Sequence, residues 1–317
     1  MERRTRDDIE YKRYIYRLKK MEERRRKVMV ARAIAFVVLV VFVVLMTGLI
    51  RWGVKTITAA VEKKEPVATA EAEPTLEPLD YSVPEGYETY SQQLEALREE
   101  YPEVEDVLLN LYEYPESVLN LAVTNQETLS FVVNYPKHKS DIKPSGEIAS
   151  EELTEGIPYF CQWDERWGYL SYGDDIIAID GCGPTCLSMV VSGLLQDTTK
   201  SPDVMADFAI DNNYYTPASG SAWSLMSSGA EKQGLISEAV EISADNIKTA
   251  LEAGKPVICS MKPGDFTTTG HFIVLTGLTE SGLVTVNDPN SISRSLTEWE
   301  VETLVEQMKA AWAYSVS

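Results

Sequence analysis

Apolar positions fall along the chain in four textures. Residues 33–50 (AIAFVVLVVFVVLMTGLI) form an uncharged apolar run of 18 residues without amphipathic period, near the minimum for a helix that spans a bilayer core. Residues 51–85 are rich in Ala, Glu and Pro and poor in large apolar side chains. That composition cannot offset chain entropy and predicts a flexible linker. In 86–140 apolar residues return at helical spacing: Leu94 and Leu97, then Val104, Val107, Leu108 and Leu111, then Val118, Leu119 and Ala122. Tyr-Pro pairs starting at 101, 114 and 135 interrupt this pattern, because proline disfavours helix at the residue before it. Thr124-x-x-Glu127 has capping-box form ahead of Leu129, Phe131 and Val132. Three or four short helices are expected, too unevenly spaced for a repeat array. Such a segment suits a spacer, a lid or a recognition module.

The fourth texture, 155–317, is mixed. A helix is predicted over about 184–195, where Leu187, Val190, Val191 and Leu194 give it a buried face. Further helices are predicted near 221–233 and 244–253, and an amphipathic one within 290–309. Strands are expected at 256–261, 271–278 and 283–287, with a last one at 312–316. Helices first and strands late indicate an α+β domain rather than a doubly wound sheet.

Charge orients the apolar run. Residues 1–32 hold thirteen Lys/Arg against six Asp/Glu, a balance of +7 within a chain of net charge -20, which leaves -27 for everything from residue 33 onward. The basic residues precede the run, so the positive-inside rule makes 1–32 a cytoplasmic segment, 33–50 a single transmembrane helix, and the rest extracellular. A cleaved signal peptide is the competing reading, with Thr58-Ala59-Ala60 as a cleavage-like site, but its n-region would be about 32 residues long. The Arg24-Arg25-Arg26-Lys27 cluster suits anionic inner-leaflet lipids. The acidic remainder argues against nucleic acid as a partner.

The chain has two histidines, His138 and His271, and four cysteines, Cys161, Cys182, Cys186 and Cys259. No Cys-x-x-Cys pair or His-rich set supports a metal site, and neither a phosphate-binding glycine loop nor a Gly-x-Ser-x-Gly elbow occurs. No cofactor is expected. What remains is a Cys–His pair. In Gly181-Cys182-Gly183-Pro184-Thr185, the glycines allow a tight turn and close approach of a substrate backbone, and Pro184 suits the first helical turn. A cysteine there meets unpaired N–H groups and the helix dipole, which favour a thiolate by about 0.3–2 kcal/mol. Cys186, a turn further on, reads as packing.

His271 opens an apolar run that turns at Glu280-Ser281-Gly282 and returns to Asp288. Pairing around that turn sets residue 271 opposite about residue 290, so that Asp288 or Asn287 can accept the imidazole Nδ1–H. Gln162, in Ile157-Pro158-Tyr159-Phe160-Cys161-Gln162-Trp163, is either an oxyanion donor beside the Cys182 N–H or a turn glutamine among aromatics.

These motifs together, with Gly270-His271-Phe272-Ile273-Val274 and Asn287-Asp288-Pro289, resemble the C39-like cysteine peptidases of the papain-like group. The resemblance covers about 155–316. It implies a helix carrying the nucleophile packed on an antiparallel sheet, Cys182 as nucleophile, His271 as base and acid, Asp288 as its orienter and Gln162 as oxyanion donor. The bacteriocin-processing members are fused to transporter ATPases and carry the glutamine shortly before the cysteine. This chain has no ATPase motif and sets twenty positions between them, as stand-alone members do. The expectation is a membrane-anchored, extracytoplasmic peptidase acting on peptide or cell-wall peptide through an acyl-enzyme. The alternatives are a transpeptidase or amidase on the same intermediate, and a non-catalytic binding module on the same fold.

Overall fold

The helical periodicity of 86–140 has its cause in a small apolar core. The computed structural model describes residues 77–153, 156–217 and 220–316. The basic segment and the apolar run at 33–50 lie outside them, as does most of the linker. Among the described residues no helix is long and apolar enough to cross a membrane. Four helices come first: α1 Glu88–Glu95, α2 Val104–Leu108, α3 Glu116–Thr124 and α4 Leu129–His138. Leu94, Val104, Val107, Leu108, Leu111, Val118, Leu119 and Ala122 are fully buried. Pro115 does start a helix after an extended Tyr114, but Pro136 sits inside α4 and does not end it. Lacking an N–H, it gives up the bond to the Val132 carbonyl, and the helix ends two residues later at His138.

The expected capping box at Thr124 does not form. Thr124 closes α3, its Oγ1 donating to the Asn120 carbonyl at 2.6 Å, and Asn125 takes the cap by accepting from the Glu127 N–H at 3.2 Å. The Glu127 carboxylate turns outward from its own helix. The helices pack directly on the start of the mixed domain. Phe131 stacks on Tyr169 with ring centroids 4.1 Å apart, and the Tyr169 hydroxyl donates to the Phe131 carbonyl at 2.9 Å.

Beyond them a hairpin of β1 Ser171–Tyr172 and β2 Asp175–Ile176 leads through the single turn α5 Ile177–Asp180 into α6 Cys182–Leu195. Then come α7 Pro202–Asp211, a small ladder of β3 Tyr215–Thr216 and β4 Gly220–Ser221, and α8 Ser228–Lys232. The remaining elements are β5 Ile236–Ala239, α9 Ala244–Glu252, β6 Val257–Met261, β7 His271–Leu278, β8 Val284–Asn287, α10 Ile292–Ser295, β9 Glu298–Trp299, α11 Val301–Val305 and β10 Met308–Ser315. Six strands form one sheet in the order β5-β10-β6-β7-β8-β9, with every neighbouring pair antiparallel.

The sheet is covered on both faces. Ile258, Phe272, Val274, Trp312 and Tyr314 share a core with Cys186, Leu187, Val190 and Val191 of α6. Their alternates Val257, Cys259, Met261, Ile273 and Leu275 pack with Ile247 and Leu251 of α9 and Val301 and Leu304 of α11. Burial on both faces explains why β6 and β7 read as nearly continuous apolar runs. The fold is thus mixed α+β. It departs from expectation locally: 221–233 splits into a 3-10 turn and α8, and 290–309 splits into α10, β9 and α11. There the pairing of Trp299 with Val284 on β8 overrides helical periodicity. Helix α7 and strand β5 were not anticipated.

Candidate active site

Cys182 is the first residue of α6, directly after Gly181. The first-turn N–H groups of a helix have no intrahelical acceptor. Here Pro184 carries no N–H and the Thr185 N–H donates to the Gly181 carbonyl at 3.0 Å, which leaves the N–H groups of Cys182 and Gly183 as the first-turn donors. Packing demands both flanking glycines, and neither needs a left-handed backbone. Gly181 has an ordinary negative φ of -83°, and a Cβ on it would lie 2.4 Å from the Ile177 carbonyl oxygen. A Cβ on Gly183 would lie 2.3 Å from Ser221 Oγ. Of the four cysteines, Cys161, Cys186 and Cys259 are buried and Cys182 is half-buried, and none is in a disulfide. Burial pushes the thiols of Cys186 and Cys259 up from their ordinary range.

His271 begins β7, and the β7–β8 ladder brings Asp288 to it. Val274 pairs with Asn287 and Leu275 with Val286, so continuing the ladder sets residue 271 beside the loop after β8. His271 Nε2 and Asp288 Oδ1 are 2.7 Å apart. The partner nitrogen is therefore Nε2, not the expected Nδ1. Asp288 lies past the end of its strand and meets Nε2, so Nδ1 is not the atom it engages, and Cys182 is close enough to be among the neighbours that raise the imidazole. Asn287 is not the partner; its amide N–H donates to the Pro158 carbonyl at 2.9 Å.

Charge in this group is balanced by burial. Burial opposes a proton on His271, but the charge and hydrogen bond of Asp288, and then those of Cys182, outweigh it and raise the imidazole to about 10. Burial likewise opposes charge on Asp288, yet His271 and then Arg294 hold its carboxyl below the usual range. Arg294 Nε donates to Asp288 Oδ2 at 2.5 Å, and the Asn290 N–H donates to Oδ1 at 2.8 Å. Arg294 was missed in the sequence, although it is the one Lys/Arg between His271 and Lys309.

The Ile157-Pro158-Tyr159 stretch holds the same loop. The Tyr159 hydroxyl, kept protonated first by burial and then by neighbouring Cys161, donates to the Asp288 carbonyl at 3.1 Å. The Gln162 N–H donates to the Pro289 carbonyl at 2.8 Å. The Gln162 side chain is buried and its amide N–H groups go to the carbonyls of Ala178 at 2.8 Å and Ile179 at 3.2 Å, while its Oε1 has no partner. Gln162 therefore ties the acid loop to the turn before Cys182. In this conformation its amide is committed to that turn, and an oxyanion role requires one of these bonds to open. Among the described residues no group of three or more His, Cys, Asp or Glu is gathered as a metal site would be.

An α+β domain with a half-buried cysteine at a helix start and a carboxylate-bound histidine near it is of the cysteine-peptidase type. The model of the Peptidase_C39 like family matches residues 154–317, slightly more than half of the chain, and the chain belongs to that family. No curated protein matches it.

Proposed function

We propose that the domain is a thiol hydrolase that cleaves peptide amide bonds, with Cys182 as nucleophile, His271 as proton carrier and Asp288 as its orienter. What supports this is the buried pair of His271 Nε2 and Asp288 Oδ1 at 2.7 Å, with Cys182 at a helix start near enough to raise the imidazole. Cys182, with its proton held on His271 in the resting pair, attacks the substrate carbonyl carbon. A C–S bond forms as the carbonyl electron pair moves to oxygen, where the backbone N–H of Cys182 at the start of α6 receives it. His271 returns the proton to the amide nitrogen, the C–N bond breaks and the amine leaves. Water then gives a proton to His271 and attacks the thioester, the C–S bond breaks, and sulfur regains the proton. The apolar run at 33–50 and the basic segment before it support attachment to the cell membrane with this domain outside. Peptides or cell-wall peptides are the substrates to try.

The test is the pH dependence of Cys182 alkylation by iodoacetamide in the full-length protein, beside His271→Ala. Alkylation selective for Cys182 that persists below pH 7 and is lost in the variant supports the pair. The same pH dependence in both proteins, as for an isolated thiol, overturns it.

A further inference from the structure

The helices before the family-matched region reach the catalytic loop at one place. Both oxygens of the Glu127 carboxylate accept from backbone N–H groups of α10, Oε2 from Ile292 at 2.6 Å and Oε1 from Ser293 at 3.1 Å. The Ser291 hydroxyl donates to Oε1 at 3.4 Å, and Asn125 Nδ2 donates to the Asn290 carbonyl at 2.6 Å. The next residue of α10 is Arg294, whose guanidinium holds Oδ2 of Asp288 and so turns Oδ1 toward His271. Glu127 itself lies on the 3-10 turn between α3 and α4, which Phe131 and Tyr169 fasten to the domain.

We infer that Glu127 is a positioning residue for the His271–Asp288 pair, acting through α10 and Arg294, and that residues 88–138 are a brace of the active site. This rests on the hydrolase reading only for its consequence in turnover. Without Glu127 the α10 N–H groups lose their acceptor, Arg294 loosens, and the Asp288 carboxylate can turn away from His271.

The test is the NMR titration of His271 in full-length protein, with the half-exposed His138 as reference, in wild type, Glu127→Ala, Glu127→Gln and Asn134→Ala. Asn134 belongs to the same helices but contacts Glu165 instead of the loop. The expected result is a His271 midpoint lowered by about 1 pH unit in Glu127→Ala, partly restored in Glu127→Gln, and unmoved in Asn134→Ala. With a peptide that wild type hydrolyses, kcat falls and KM stays. An unmoved midpoint in folded Glu127→Ala or Glu127→Gln, or an equal shift in Asn134→Ala, overturns the inference. A shifted midpoint in a protein whose wild type hydrolyses nothing sustains it and defeats the hydrolase reading instead.

Discussion

His271 Nε2 lies 2.7 Å from Asp288 Oδ1 inside the protein, where the ring is 8% exposed and the carboxylate not at all. Burial alone would discharge both groups, so the proton on the ring is held by its partners, and folding and protonation are linked. The imidazole is raised from 6.5 to about 10. Its contribution to stability is therefore complete below about pH 6.5, the unfolded value, and is lost as pH climbs through 10. Asp288 is lowered, so its contribution is complete above about pH 3.9 and fades as pH falls through the lower folded value. Denaturant melts at pH 6 and pH 9.5 are expected to show lower stability at pH 9.5. The difference should be smaller in His271→Ala, and an equal difference would exclude His271 as its source.

Asp288 separates orientation from structure. Asp288→Ala leaves the Arg294 guanidinium without its partner and is expected to cost about 3–5 kcal/mol, as breaking a buried pair does. Asp288→Asn keeps the shape but not the charge that holds a proton on His271. It should stay folded and lose about two orders of magnitude in kcat on a peptide cleaved by wild type. Wild-type kcat in Asp288→Asn would remove the carboxylate from the mechanism.

What could be read from sequence was local. Pro184 and the apolar face at Leu187, Val190 and Val191 marked the helix that begins at Cys182, and the turn at 280–282 set the register that brings Asp288 to His271. The choice of ring nitrogen was not legible, because it depends on how the loop after Asn287 leaves the sheet. Glu127 looked like the cap of its own helix, yet its carboxylate binds Ile292 and Ser293, about 165 residues away. Tyr159 and Arg294 were equally hidden: Tyr159 reaches Asp288 only once β8 and the stretch 157–163 have met, and Arg294 only once α10 folds back on the loop after β8. Strand β10 enters the sheet between β5 and β6, and no periodicity announces such an insertion.

Gly183 gives a steric prediction beside the nucleophile. A methyl group there would lie 2.3 Å from Ser221 Oγ and 2.5 Å from Ser221 Cβ, and the Ser221 hydroxyl is itself held by Tyr172 at 2.7 Å. Gly183→Ala should destabilise by about 1–3 kcal/mol, as overpacking of a filled interior does. Removing the opposing Cβ with Ser221→Gly should return part of that loss, so the pair is non-additive. A double-mutant cycle in urea checks this. Strict additivity would place the clash elsewhere.

Gln162 closes the set, because two roles compete for one amide. As a tie, it satisfies the carbonyls of Ala178 and Ile179 in the turn before Cys182, so Gln162→Ala leaves these acceptors unpaired and should cost about 1–3 kcal/mol. Gln162→Glu should be worse near neutral pH, since a buried carboxylate would face two carbonyl oxygens. An oxyanion donor predicts otherwise: Gln162→Ala would keep its stability and lose about 100-fold or more in kcat. The bonds in place favour loss of stability first, with Cys182 alkylation slowed because the nucleophile's turn has slackened. Urea melts and alkylation rates on the same three proteins decide between them. A stable Gln162→Ala with normal alkylation and depressed kcat would give the amide to the oxyanion after all.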